Sequence, residues 1–140
     1  MSDAPGAVLV VEDSPDEAGS IGLLLSLRGH QVALAGDGEQ ALAYLSTLQS
    51  PSLIVLALIM PGLDGWAFLR RRRLNPRLAA VPVLVCSAAA RGEGPDDAEE
   101  LLADCAGSLR KPLEPAALEQ AVRALTERAG PAPPAGAALR

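Results

Sequence analysis

A single stretch decides the fold, Ser52-Leu53-Ile54-Val55-Leu56-Ala57-Leu58-Ile59-Met60-Pro61-Gly62-Leu63-Asp64-Gly65. Its first half is almost entirely apolar, and its second half is rich in turn-forming residues. A short apolar run bounded by turn residues predicts a strand buried on both faces, as at the centre of a parallel sheet. Ligand sites in such sheets lie beyond the carboxyl ends of the strands. We therefore expect Ala57, Leu58 and Ile59 at the rim of any site.

Short strands and helical patterns alternate on either side of this stretch. The other predicted strands are Ala7–Val11, Gln31–Ala35, Val81–Ser87 and Gly107–Arg110. This alternation predicts an α/β fold with a doubly wound, five-stranded parallel sheet whose crossovers cover both faces. The five predicted helices begin at Pro15, at Glu39, at Asp64 or Gly65, at Pro95, and after Pro115; Gly29, Gln49 and Asn75-Pro76 end the first three, and Ala98, Leu101, Leu102 and Cys105 mark the inner side of the fourth.

The composition divides the chain into three segments. Residues 1–6 predict a loose leader, residues 7–128 one folded domain, and residues 129–140 a flexible tail rich in Pro, Ala and Gly. The length of 140 residues suits one domain with a real core. We expect no effector domain after residue 128, and so no transcription factor formed by this chain alone.

Charge and residue counts exclude several classes of protein. The net charge of −5 argues against nucleic-acid binding, which needs a basic face. The sequence has no long apolar segment and no secretory signal, so we expect neither membrane association nor secretion, and predict a cytoplasmic location. Cys86 and Cys105 are interpreted as reduced thiols, and the single histidine, His30, gives no support for a zinc site.

Polar side chains end or follow three of the predicted strands. Glu12 and Asp13 follow the first, Ser87 ends the fourth, and Lys111 follows the fifth, whereas the third ends at Ala57. In a parallel sheet these positions converge on one edge. Two acids, a hydroxyl and an ammonium together favour a site for a divalent cation and a phosphoryl group. Each residue also has a simpler interpretation, the acids as helix-capping groups and Ser87 as an ordinary polar residue.

These motifs resemble the receiver domain of bacterial two-component response regulators, the CheY-like fold. The resemblance covers about residues 7–128 and implies the strand order 2-1-3-4-5. Four separate motifs occur in the family's order and at similar distances. They are Val8–Ser14, Leu58–Gly65, Val81–Leu84 leading to Ser87, and Lys111-Pro112.

The resemblance implies roles for these positions. In the family, an Asp at the end of the third strand accepts a phosphoryl group from a histidine kinase. An acidic pair and a backbone carbonyl hold Mg²⁺, which corresponds to Glu12, Asp13 and the carbonyl of Ile59. A hydroxyl and a lysine contact the phosphoryl group, which corresponds to Ser87 and Lys111.

Two positions depart from the family pattern. The phosphoacceptor position is Ala57, whose methyl group can neither attack phosphorus nor bind Mg²⁺. The position of the aromatic switch residue is Ser108. We therefore expect a pseudo-receiver, a protein-interaction module and no enzyme, with at most a weak or vestigial Mg²⁺ site. Lys111, without its usual partner, should turn toward Asp13 or Glu12.

Two alternatives remain at this stage. The chain could be an ordinary receiver whose Asp at position 57 was replaced by design, although Ser108 favours a natural pseudo-receiver. A nucleotide-binding flavodoxin-like protein would need a Gly-rich phosphate loop after the first strand, where Glu12-Asp13-Ser14-Pro15 stands instead.

The resemblance also implies a surface for partners. In the family, the fourth helix, fifth strand and fifth helix commonly meet a kinase, an effector or a second copy, so a homodimer is one expectation. The Arg70–Arg73 run is interpreted mainly as a solvated basic face. The predicted docking surface carries Asp96, Asp97, Glu99, Glu100, Arg110, Glu119, Arg123 and Glu127.

Overall fold

A computed structural model describes residues 6–47, 50–60, 62–88 and 94–129. The predicted leader up to residue 5 and the tail from residue 130 lie outside the described residues, so those expectations stay predictions. The second helix was predicted to reach Gln49 but ends at Ser46, because the backbone of Thr47 is already extended. Among the described residues, no helix combines the length and apolar character that crossing a bilayer requires.

Five parallel strands form one sheet in the order β2-β1-β3-β4-β5, which confirms the predicted fold. Each strand lies within a predicted strand, and three of them begin one or two residues later than predicted. The strands are β1 Val8–Val11, β2 Val32–Ala35, β3 Leu53–Ala57, β4 Val83–Ser87 and β5 Gly107–Arg110.

Three helices begin directly after a residue whose side chain caps them. Ser14, Asp37 and Asp64 each precede a helix, and their side chains accept hydrogen bonds from backbone N–H groups of the first turn. The helices are α1 Pro15–Leu27, α2 Gly38–Ser46, α3 Gly65–Arg73, α4 Pro76–Ala79, α5 Ala98–Ala103 and α6 Pro115–Ala129.

The one-turn helix α4 was not expected. Asn75-Pro76 ends α3, as predicted, but it also starts a new turn. The Asn75 side chain accepts hydrogen bonds from the N–H groups of Arg77 and Leu78. Pro76 fits the first helical position, where no intrahelical donor is needed.

The core lies on both faces of β3, all of whose residues are buried. Leu53 and Val55 pack with side chains of α1 and α6 on one face. Ile54 and Leu56 pack on the other face with side chains of α2, α3, α4 and α5. Alternate side chains of one strand therefore support both helical layers.

Two side chains lie in environments that differ from prediction. Leu102 was placed on the inner side of its helix but is exposed, because α5 is short and only Leu101 within it is fully buried. Arg72 was assigned to a solvated face but is buried, and it donates hydrogen bonds to the carbonyls of Ala79 at 3.0 Å and Val81 at 2.7 Å.

Adding a methyl group at Gly65 should test how tightly α3 approaches β3. A Cβ there would lie 2.4 Å from the Ala57 carbonyl oxygen and 2.6 Å from the Leu58 Cα, both backbone atoms. We expect Gly65→Ala to lower the free energy of unfolding by about 2 kcal/mol. At Gly19, also helical, a Cβ would meet no atom within 4 Å.

Gly19→Ala is the matched control and should raise the free energy of unfolding by about 0.5 to 1 kcal/mol, since it removes backbone freedom from the unfolded chain. Urea unfolding measures both changes. Equal effects of the two substitutions would contradict the close approach.

Candidate functional site

The predicted site residues lie at one edge of the sheet. Glu12 directly follows β1, Ala57 and Ser87 end β3 and β4, and Lys111 directly follows β5. Because all strands are parallel, their carboxyl ends share this edge. The backbone N–H of Lys111 donates to the carbonyl of Ser87 at 2.9 Å, which joins two of these positions directly.

Lys111 is held between two carboxylates. Its Nζ lies 2.8 Å from Glu12 Oε1 and 3.0 Å from Glu17 Oε1. The Glu12 contact is one of the two that the sequence predicted, and Asp13 is exposed. The Glu17 contact was missed, because the first turn of α1 was interpreted only as a helix start. The two ion pairs tie the β5–α6 connection to β1 and to α1.

Burial and charge act in opposite directions on this lysine. Burial by itself would lower the pKa of Lys111, since it penalises the charged ammonium. Hydrogen bonds to Glu12 and Glu17 outweigh burial, so that the pKa of Lys111 is raised. The ammonium therefore keeps its charge, and the stability it contributes is present at neutral pH and lost only as the pH rises through its raised pKa.

Glu12 uses both carboxylate oxygens. Oε1 contacts Lys111, and Oε2 accepts a hydrogen bond from the N–H of Ser14 at 3.2 Å. Because the side chain is almost fully buried, these two partners stabilise its carboxylate in place of water.

Ala57 lies buried at the carboxyl end of β3, opposite Cys86 of β4. Its methyl group is part of the apolar core on the α2–α3 face. The loop that follows is fixed by the N–H of Gly65, which donates to the Leu58 carbonyl at 2.8 Å, and it leaves Ile59 exposed. Ala57 thus ends its strand at the rim of the sheet, as predicted, and of the two residues that follow it Leu58 is buried and Ile59 is exposed.

The donor set fits a tightly held Mg²⁺ poorly. Mg²⁺ requires oxygen ligands in near-octahedral arrangement. Within the part of the chain that the structure describes, no three His, Cys, Asp or Glu side chains are grouped so that they could hold a metal ion. Glu12 is already engaged by Lys111, which leaves Asp13 and the carbonyl of Ile59. A weak site at Glu12, Asp13 and Ile59 stays a prediction.

The two predicted switch positions differ in exposure. Ser87 is partly buried at the end of β4, and Ser108 is exposed on β5, opposite Val85 of β4. A short polar side chain at an exposed strand position has no bulk to bury, so Ser108 cannot act as an aromatic switch.

The two cysteines are free thiols, as predicted. Burial raises the pKa of Cys86 to about 12 and that of Cys105 to about 11. Both thiols are therefore protonated at neutral pH and poor nucleophiles.

The arginine run of α3 forms ion pairs within the domain. Arg70 Nε lies 2.8 Å from Asp97 Oδ2, and Arg73 Nε lies 2.7 Å from Asp104 Oδ2. These contacts join α3 to both ends of α5. Asp97, which was assigned to the docking surface, therefore pairs with Arg70 within the domain. Glu119, also assigned to that surface, is buried, and its Oε2 lies 3.0 Å from Nη2 of Arg123.

A cavity of about 610 Å³ lies beside Lys111, between α1 and the start of α6. Ile21, Leu24, Leu113 and Leu118 line its apolar part, and Glu17 lies among its polar lining residues. This cavity was not anticipated from the sequence, because its walls come from segments that lie far apart along the chain.

A family model described as the response regulator receiver domain matches residues 8–123. The chain belongs to the response regulator receiver domain family. Receiver domains are modules of two-component signalling, and the family match agrees with the observed strand order.

Three relatives contain a segment similar to this chain. The chain is 36% identical over 97 residues to the gliding motility regulatory protein of Myxococcus xanthus, covering 66% of this chain and 12% of the relative. It is 33% identical over 125 residues to response regulator Rre1 of Synechocystis, covering 89% of this chain and 53% of that protein. It is 32% identical over 78 residues to protein PilH of Pseudomonas aeruginosa, covering 56% of this chain and 64% of that protein. The match spans less than two thirds of each relative.

Solved structures show the same fold. The receiver domain of a signal transduction histidine kinase from Syntrophus aciditrophicus matches with a TM-score of 0.76 at 30% identity, covering 88% of this chain and 91% of that one. The receiver domain of a sensor histidine kinase from Pseudomonas aeruginosa, solved with magnesium in its active-site cleft, matches with a TM-score of 0.76 at 28% identity, covering 89% and 99%.

Removing the ammonium of Lys111 should cost far more stability than removing one of its partners. Lys111→Met leaves the buried Glu12 charge without its cation, and we expect a loss of about 3 kcal/mol. Glu17→Gln removes a half-exposed partner, with 50% of the side chain accessible, and should cost less than about 1 kcal/mol. Urea unfolding at neutral pH measures both, and a Lys111→Met loss no larger than that of Glu17→Gln would refute the assignment of Glu12 as the main partner.

Proposed function

We propose that this receiver domain signals through protein contacts without accepting a phosphoryl group. The observation that carries the proposal is Ala57 at the end of β3, at the sheet edge where Glu12 and Lys111 meet. By resemblance, this is the position of the phosphoacceptor Asp. A methyl group has no lone pair, so it cannot form an acyl phosphate.

The state of Lys111 supports the same proposal. Two carboxylates already neutralise its ammonium, and the Glu12 contact is largely shielded from water, with side-chain exposures of 20% for Lys111 and 4% for Glu12. The carboxylates of Glu12 and Glu17 thus take the place that a phosphoryl group would have beside this lysine. The same two ion pairs hold the connection from β5 to α6 against β1 and α1.

A partner would meet the surface formed by α5, β5 and α6. Ser108 and Arg110 are exposed at alternate positions of β5, Asp96 and Glu99 are exposed at the start of α5, and Glu127 is exposed in the last turn of α6. Asp97 pairs with Arg70, so it is less available to a partner than the other acidic residues of this surface. We propose a histidine kinase or downstream effector as partner, with no nucleic acid or membrane involved and no enzymatic activity. The cytoplasmic location stays a prediction.

A second candidate is an ordinary receiver in which an aspartate at position 57 was replaced by alanine. Glu12, Asp13, Ser87 and Lys111 are all retained around the substituted position, which favours a pocket that once handled phosphate. The genomic codon at position 57 distinguishes the two: an Asp codon overturns the pseudo-receiver.

Phosphorylation can be tested directly by intact mass. Incubated with acetyl phosphate and Mg²⁺, the chain should gain no phosphoryl adduct. An Ala57→Asp variant should gain one, since Ser87 and Lys111 remain in place, and Ala57→Asn controls for side-chain size without a nucleophilic carboxylate. An adduct on the unchanged chain would refute the proposal.

Magnesium affinity should follow the carboxylate count at the same edge. We expect Ala57→Asp to tighten Mg²⁺ binding by about tenfold or more, because it adds a charged oxygen ligand beside Glu12 and Asp13. Calorimetric titration of both proteins at equal ionic strength measures the ratio. Equal affinities, or tight binding by the unchanged chain, would contradict the incomplete donor set.

A further inference from the structure

The β2 edge of the sheet is unusual for an exposed strand. Among the described residues, β2 is the terminal strand of the sheet and pairs with β1 alone. Its residues and those just before it, Gly29 to Gly36, include no Asp, Glu, Lys or Arg and no proline. Exposed edge strands are normally protected from pairing with another chain by such residues. At the opposite edge, β5 ends in the exposed Arg110.

The backbone of β2 offers hydrogen-bonding groups outward at two residues. The carbonyl of Gln31 accepts from Val8 N–H at 2.8 Å, and that of Ala35 accepts from Glu12 N–H at 3.0 Å. Alternate residues of a strand direct their backbone groups to opposite sides. The peptide groups of Val32 and Leu34 therefore point away from β1. At Gly36 the pattern ends, because its N–H donates to Gln40 Oε1 at 2.8 Å.

Apolar side chains accompany these outward groups. Leu34 is 55% exposed, and it lies beside Gly22 of α1, where a Cβ would be 3.5 Å from its Cδ2. Leu23, the next residue of α1, is 63% exposed. Two large apolar side chains are thus exposed on the helix and strand that border the unpaired edge.

We propose that β2 pairs antiparallel with β2 of a second copy of this chain, which forms a symmetric dimer with one continuous sheet. A two-fold axis at Ala33 sets Val32 of each copy opposite Leu34 of the other. The outward groups then form about four hydrogen bonds, and each Leu34 packs against a Val32. Only a self-complementary arrangement satisfies both copies equally.

The charges at the two ends of the strand fit this arrangement. Arg28 precedes β2, and Asp37 and Glu39 follow it. Antiparallel pairing brings the basic end of one copy to the acidic end of the other. This attraction opposes the repulsion between two chains of net charge −5. The surface is distinct from that formed by α5, β5 and α6, so the dimer does not depend on the proposed function.

Sedimentation equilibrium of the whole chain tests the dimer. We expect a concentration-dependent monomer–dimer equilibrium that weakens as salt is added. Leu34→Lys brings two new positive charges close to the axis and should weaken the dimer at least about tenfold. Leu74→Lys is the matched control, because Leu74 is 85% exposed at the end of α3, and it should leave the dimer unchanged.

A cross-link tests the register. Ala33→Cys places two thiols at the axis as a non-hydrogen-bonded antiparallel pair, where Cβ atoms lie about 4.5 to 5.5 Å apart. Mild oxidation should give a covalent dimer that thiol reductant reverses, and Leu74→Cys should give none. A monomer at all concentrations up to about 1 mM, or a dimer insensitive to Leu34→Lys, would overturn the proposal.

Discussion

The burial of β3 on both faces is the constraint on which the rest of the structure depends. A strand without polar side chains can exist only between two other strands and two helical layers, and each neighbour of β3 is accordingly a strand or an apolar helix face. This constraint also fixes position 57 at the sheet edge. The burial of β3 does not require a carboxylate at position 57, since Ala57 packs with the core. The fold and the family's reaction are therefore separable, and a chain can keep the first without the second.

The parts of the fold that sequence could predict are those with a local signal. The uninterrupted apolar run from Leu53 predicted the central strand, and Ser14 and Asp64 predicted helix starts, because each pattern follows from chemistry within a few residues. The helix α4 was missed because a single turn has no periodicity to detect. Its capping residue, Asn75, therefore looked only like the end of α3.

The parts of the site that sequence could not predict come from contacts between distant segments. The approach of Lys111 to Glu12 was anticipated because, without an Asp at position 57, the ammonium of Lys111 has no carboxylate at that position to pair with. Glu17 was interpreted through the helix dipole, a local effect, although its longer-range role is to contact the same lysine. The pairing of Arg70 with Asp97 joins two helices, and no spacing rule connects them. The basic run consequently looked like a free surface when much of it holds α3 against α5.

The difference between the two sheet edges has a consequence for how a dimer would present its surfaces. β5 carries the charged residue Arg110, whereas β2 contains no charged residue, so the β2 edge is the one that favours pairing with another chain. In the symmetric dimer, both β2 edges are occupied by each other. Growth into longer assemblies is thereby prevented. β5 lies at the far side of the sheet from β2, so both copies keep the α5, β5 and α6 surface accessible. Two such surfaces on one rigid sheet would raise the effective concentration of the second contact with a dimeric partner, which increases affinity without any new contact within either surface. A receiver that accepts no phosphoryl group, as we propose for this chain, would in this way adjust its signalling through its own concentration.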